Sequence, residues 1–384
     1  MINLRNALMA EKRLPYDAEV EFLESTGTQW IDTGIISDGT GLTVEVTCSK
    51  TTSATQEMAI VGRSGNNGFD LYVLNSKFEL WNSSNRVAKN PTTISAGEVY
   101  DVIGSTAGGA MNLSVNGVNS SRSGVTSFPN RNIVLFRHNS KYYWVGRLMF
   151  CKIWQNGVLV RDFIPVRKGT VGYLYDRVSG KLFGNAGTGD FVLGPDVVPV
   201  EYLQSSGTEY IDTGVSPFEG MGLHMQYKPM AQGAEQRLFG VRTNIVFNYG
   251  YYGATANFWD IGGRISMAQV PFDSVSVMTL NNGTIDFNNY QYSYTNVPTS
   301  ADNCYLFAWN RNPLLFATAR VYELKLWDSS ASNPLRSFRP VRVGTDATSW
   351  EGAMMDVLTR RIYRNAGTGA FTYGNDLKYP IPAS

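Results

Sequence analysis

Apolar and polar residues alternate through most of this chain. Leu42, Val44, Val46 and Cys48 stand between Thr43, Glu45 and Thr47, the period of two that a strand with one buried face requires. Runs of this kind predict strands over 19–23, 29–33, 42–48, 57–62, 68–74, 77–81, 99–105, 110–115, 132–136 and 144–154. Asn116 and Gly117 close one strand with the dipeptide of a tight hairpin turn. Ser179 and Gly180, between LYD and KLF, mark another. Helical spacing is found only over 2–12, where Leu4 and Leu8 lie one turn apart and Pro15 follows. A helix that short is marginal in water unless its apolar stripe is covered. Many short strands at this spacing predict sandwiches of two antiparallel sheets.

The pattern runs twice. VEFLESTGTQWIDTGI (20–35) returns as VEYLQSSGTEYIDTGV (200–215), with ten of sixteen positions identical, and NAGTG occupies both 185–189 and 365–369. KIW (152–154) answers KLW (325–327), and FIPVR (163–167) answers FRPVR (338–342). A period near 180 residues is far above the 20–50 of solenoid repeats, so each copy reads as a whole domain with its own core. Trp154 and Trp327, on apolar runs in both copies, read as the anchors of those cores.

Composition narrows the function classes. The chain has 33 basic and 32 acidic residues, a net charge of +1, which removes the electrostatic case for nucleic acid. Cys48, Cys151 and Cys304 fall at unmatched points of the copies and are expected as free thiols. No run of 18 apolar residues is present, so no membrane span is expected. The N-terminus, interrupted by Arg5 and Asn6, does not read as a secretion signal.

The stretch EVYDVIGSTAGGAMNLSVNGV (98–118) and the runs GRLMFCKIW (146–154) and ARVYELKLW (319–327) resemble the laminin-G-like, concanavalin A-like jelly-roll family. The second copy departs at the hairpin, where TIDFNN (284–289) replaces NLSVNG. The resemblance implies an all-β chain of two tandem jelly-roll sandwiches. Their expected bounds are 16–194 and 200–384, with a linker at 195–199 and a helical attachment segment at 1–15. MINLRNALMA, ESTGTQWIDTG and DFIPVRKGTVGYLYDRVSGKLFGNAGTGDF are similar to modules of tail and surface proteins of gut bacteriophages and prophages. That likeness implies a virion component (fibre, tail or capsid decoration) assembled in the host cytoplasm and touching glycans.

Catalytic chemistry finds little to work with. A glycosidase needs two carboxylates roughly 5–10 Å apart. Glu19 and Glu21 offer such spacing on one strand, but Pro199 replaces the first of them in the second copy. Asp32 and Asp212, each before Thr-Gly, read as caps of a turn. His138 and His224 are not equivalent, and His138, in FRHNSKYYW, reads as a surface residue. No cofactor is expected. Calcium, bound by relatives through loop carboxylates, has Asp70, Asp101 and Asp260 as candidates without a dense acidic loop to hold it.

Sugar recognition asks for exposed rings beside amide or carboxylate groups. The first copy offers Tyr72, Trp81 and Asn82, and the second offers Tyr249, Tyr251, Tyr252, Trp259 and Asp260 in NYGYYGATANFWD. The expected function is a non-enzymatic, phage-type surface protein binding glycans or the host surface. The rivals are a purely structural virion protein, whose aromatic loops touch neighbouring subunits, and a glycoside hydrolase. Leu4 and Leu8 would attach the chain to another virion protein or to itself.

Overall fold

The computed structural model describes residues 14–377 except 64–67, 84–85, 233–234, 244, 261–262, 312–313, 329–333 and 346–347, and of Ser83, Arg86, Trp259 and Asp260 the backbone alone. The helix expected over 2–12, with Leu4 and Leu8, lies outside the described residues. Among the described residues the architecture is all-β, with one 3-10 turn at Ala107–Gly109. The chain divides into two compact units, 1–196 and 197–384.

In the first unit one sheet runs, strand beside strand, Val118–Ser123, Ala110–Val115, Tyr100–Ser105, Leu42–Lys50, Val145–Gln155, Val158–Lys168, Val171–Asp176 and Lys181–Phe183. The other runs Ile31–Ser37, Arg131–Leu135, Met58–Arg63, Asp70–Leu74, Lys77–Ser83 and Arg86–Thr93. All these pairings are antiparallel. The second unit repeats the plan. Its first sheet runs Tyr290–Ser293, Thr284–Phe287, Ser276–Asn281, Gly222–Pro229, Ala319–Trp327, Pro334–Gly344 and Trp350–Asp356. Its second runs Ile211–Asp212, Tyr305–Leu306, Gln236–Arg242, Val246–Tyr252, Thr255–Asp260 and Gly263–Gln269.

Alternation builds the core between the sheets. Val44, Val46, Leu71, Val73, Phe78, Leu80, Cys151 and Ile153 fill that of the first unit, and Met225, Tyr227, Phe247, Tyr249, Tyr251, Phe258 and Leu324 that of the second. All three cysteines are free and buried, and burial pushes each thiol pKa up, with help from nearby carboxylates.

The repeated motifs turn out to be two halves of one clasp. In the first unit Asn185 Oδ1 accepts from the amides of Trp30 (3.1 Å) and Gly187 (2.8 Å), while its Nδ2 donates to Gly189 O. Asn365 repeats this with Tyr210 (3.2 Å), Gly367 (2.8 Å) and Gly369. Asp32 and Asp212 cap their turns as expected, each accepting at 2.9 Å from the amide of Gly34 or Gly214. Asn116 and Gly117 both take positive φ, the mirror-image turn that suits a twisted hairpin.

One expectation is corrected here, and two features were not foreseen. Trp154 and Trp327 are only half-buried. Each shares parity with a lysine, Lys152 or Lys325, while Ile153 and Leu326 point inward. Among the described residues the fully buried indoles are Trp144 and Trp309, at unmatched positions. The expected linker is itself structured, because Asp196–Pro199 pairs with Pro334–Gly344 and Val197 is buried beside Val341 and Val343. The strands not foreseen include Val158–Lys168, Arg86–Thr93 and Val118–Ser123: the last two are polar, and one contains Pro91.

Candidate functional site

The outer face of the second sheet in the first unit gathers aromatic and charged groups. On Asp70–Leu74, Leu71 and Val73 face the core, which leaves Asp70 and Tyr72 on the other side. The neighbouring strand pairs Trp81 with Asp70 and Glu79 with Tyr72, so all four side chains share that face. The Tyr72 and Trp81 ring centroids are 5.9 Å apart. Trp81 Nε1 donates to Glu79 (3.0 Å), and the other Glu79 oxygen pairs with Lys89 Nζ at 3.1 Å. Lys89 is exposed whereas Glu79 is buried.

A hairpin closes over this face. Asn139 and Ser140, both at positive φ, turn the chain between His138 and Lys141, which exchange backbone hydrogen bonds. His138 Nδ1 lies 2.8 Å from Asp70 Oδ1. Its ring stands 5.3 Å from that of Tyr72 and 6.0 Å from that of Tyr142. Tyr142 follows at φ +52°, is 40% exposed and packs its edge on Tyr72 at 5.8 Å. A bulky residue held in the left-handed region stores strain of the kind found at binding sites. Here the Ala59 amide fixes it by donating to Tyr142 O (2.8 Å). Beside Tyr142 a shallow cleft of about 510 Å³ is lined by Thr26, Gly27, Gln56, Glu57, Tyr143 and Val145. Burial, then the charge of Asp70, pushes the Tyr72 phenol pKa up.

The expected site residues therefore divide. Tyr72 and Trp81 come together, although Tyr72 is nearly covered. Asn82 does not join them: it is buried, donating to Gly39 O (3.2 Å) and accepting from the Thr126 amide, and so ties two loops. Tyr249 and Tyr251 are core residues rather than an exposed platform. They lie on a strand, Val246–Tyr252, with the inward parity of Phe247, and their hydroxyls are spent on Tyr227 and on Thr318 O. Tyr252, of outward parity, is 62% exposed. Trp259 pairs with Asn248 as Trp81 does with Asp70, but the side chains of Trp259 and Asp260 lie outside the described residues.

His138 is the clearest miss. It is 8% exposed and held by a carboxylate, not a surface residue. The Asn-Ser pair after it was the available signal, since such a turn folds the segment back over a neighbour. Of the calcium candidates, Asp70 is taken by His138 and Asp101 by Thr47 Oγ1 (2.8 Å). Among the described residues no three His, Cys, Asp or Glu side chains stand together as a metal would need, and no helix is long and apolar enough to cross a membrane.

A polar groove of about 650 Å³ lies on the first sheet of the same unit, lined by Ile103, Ser105, Asn112, Ser114, Asn119 and Ser121. Ser105 reaches Thr43 at 2.7 Å, and Thr43 pairs with Trp154, so the half-buried indole stands at the end of a row of hydroxyl and amide groups.

No protein-family model and no curated protein matches the chain. Among solved structures it is similar to domains LG4-5 of the mouse laminin alpha1 chain, at 12% identity over 85% of this chain and 94% of that one, with a TM-score of 0.30. It is similar as well to a Bacteroides ovatus protein provisionally assigned as carbohydrate-binding, at 12% identity over 46% of this chain and 60% of that one, TM-score 0.34. A variant of the NanB sialidase of Streptococcus pneumoniae matches at 11% identity over 93% and 82%, TM-score 0.26. Likenesses this distant decide nothing further, and the fold rests on the strand order and cores described above.

Proposed function

We propose that this chain is a non-catalytic glycan-binding protein of a phage-type virion surface. The observation that carries the reading is the run of rings Trp81–Tyr72–Tyr142, bordered by Glu79 and Lys89 at one end and by Asp70 and His138 at the other. The faces of Trp81 and Tyr142 stack on the C–H surface of a sugar, Tyr72 backs them from beneath, and the exposed Lys89, held by Glu79, orients the hydroxyls. The virion setting is supported by the motifs at both ends of the first copy. In that setting residues 2–12, through Leu4 and Leu8, dock on another virion protein or on a second copy of the chain. A glycan array probed with the full chain tests the binding. Trp81→Ala and Tyr142→Ala should each weaken the signal roughly tenfold, the loss of one stacked ring, while Tyr290→Ala, an exposed ring elsewhere, leaves it unchanged. An array blank for every glycan sinks the reading.

A hydrolase is the second reading, because Asp70 and Glu79 are diagonal neighbours on one face, within the separation a glycosidase pair uses. Both carboxylates are buried and engaged by His138, Trp81 and Lys89, which favours binding over turnover. Release of reducing sugar by the wild type, abolished in Glu79→Gln, would reverse that preference.

A further inference from the structure

The matched face of the second unit carries the opposite charge. At the place of Asp70 stands Asn248, at that of Tyr72 Gly250, at that of Ala59 Arg237, and at that of His138 Trp309. Gly250 has no room for a side chain, since a Cβ there would overlap the Gln236 carbonyl oxygen. Arg237, its cross-strand partner, lies on that face. The guanidinium carbons of Arg237, Arg242 and Arg311 lie 4.5, 5.0 and 4.8 Å from the centre of the Trp309 ring. Three cations thus surround one indole, and Arg264 adds a fourth charge to their field.

Carboxylates compensate only part of this cluster. Glu235, 40% exposed, pairs with Arg237, and Asp302 is taken by Thr243 Oγ1. Among the described residues Arg242, Arg264 and Arg311 have no carboxylate partner. Arg237 is only 2% exposed, and burial, followed by the charges of Arg242, Arg311 and Arg264, brings its pKa down to about 9. A second, independent sign is Asn248: its amide is fully buried, and neither Oδ1 nor Nδ2 has a hydrogen-bond partner. It lies against Gly240, whose carbonyl accepts from the Asn310 amide next to Trp309. In the first unit the side chains at the two corresponding positions are in direct contact. Guanidinium forks and an unspent amide on one face are the groups that bind a carboxylate, sulfate or phosphate.

We propose that the second unit holds an oxyanion site, in which Arg237 and Asn248 form the floor, Trp309 the wall, and Arg242 and Arg311 the open rim. Its ligand is an oxyanion group borne by a small molecule or sugar. The inference stands apart from the glycan reading of the first unit. The test is titration calorimetry of the full-length protein with sodium sulfate, phosphate and glucuronate, at constant ionic strength set by chloride. Saturable binding of at least one of the three is expected, and the strongest names the group. Arg242→Gln and Arg311→Gln, both at accessible positions, should each weaken it roughly tenfold, the loss of one charged fork, while Tyr290→Ala leaves it unchanged. Absence of binding by all three anions overturns the site, and so does binding indifferent to both arginine substitutions. Loss of glycan-array signal with sulfate binding intact would count against the glycan reading alone.

Discussion

Gln29 and Glu209 occupy one position in the two copies and perform one task with different chemistry. Gln29 Oε1 accepts from the Thr26 amide (2.9 Å) and its Nε2 donates to Asp190 O (2.9 Å). Glu209 accepts from the Ser206 amide (2.8 Å), from both serine hydroxyls and from Thr208. Burial works against the charge, but these donors outweigh it and hold the Glu209 pKa at about 2. A carboxyl whose folded pKa lies below its unfolded one stabilises fully above the unfolded value, and the benefit fades as pH falls from about 4.5 towards 2. At most about 3 kcal/mol is at stake. Denaturant titrations at pH 7 and pH 2.5 should show Glu209→Gln, which copies the first unit, losing less stability on acidification than wild type. An equal loss in both proteins would contradict this. Legibility at this scale was uneven. The Asp32 and Asp212 caps were readable because Asp-Thr-Gly is a local signal. Tyr249 and Tyr251 were misread because their glycines suggested a loop, whereas strand parity with Phe247 sends both rings inward.

At the scale of elements, the strands with one buried face were readable from alternation, and those without it were not. Val118–Ser123 buries none of its residues, so its sequence VNSSRS holds no period to detect. Arg86–Thr93 includes Pro91, which demotes any run. The binding face is an inter-strand property: Asp70, Tyr72, Glu79 and Trp81 meet through register, and His138 through a hairpin. A search for acids two apart along one strand therefore missed the cross-strand pair. The clasp between the repeated motifs is an element-level device too, and it depends on the absence of a side chain. A Cβ on Gly187 would overlap the Thr28 carbonyl oxygen, and one on Gly367 the Thr208 carbonyl oxygen. Gly187→Ala and Gly367→Ala should each cost about 1–3 kcal/mol through overpacking, read as a shift in denaturation midpoint. Two variants as stable as wild type would show that the clasp opens freely.

On the scale of the whole molecule, duplication was legible because the clasp sequences are fixed by backbone geometry and recur almost unchanged. Divergence was not, because it lies in faces that the core does not constrain. The near-neutral chain conceals a first unit with Asp70 and Glu79 on that face and a second with Arg237, Arg242 and Arg311 there. Each unit has its own large buried cluster, so each should fold alone if it is cut where its own pairings end. Residues 195–196 belong to the first unit, because Pro195 O accepts from the Glu21 amide and Asp196 takes a bidentate pair from Arg167. Residues 197–199 belong to the second, where Val197 is buried with Val341, Val343, Ala353 and Met355. A fragment of residues 14–196 and one of 195–384 are therefore expected to give single cooperative melting transitions. A fragment beginning at Val200 loses the edge pairing and the Val197 side chain, and should be less stable than the 195–384 fragment by about 1.5–3 kcal/mol. Equal midpoints for the two second-unit fragments would return 195–199 to the role of a plain linker.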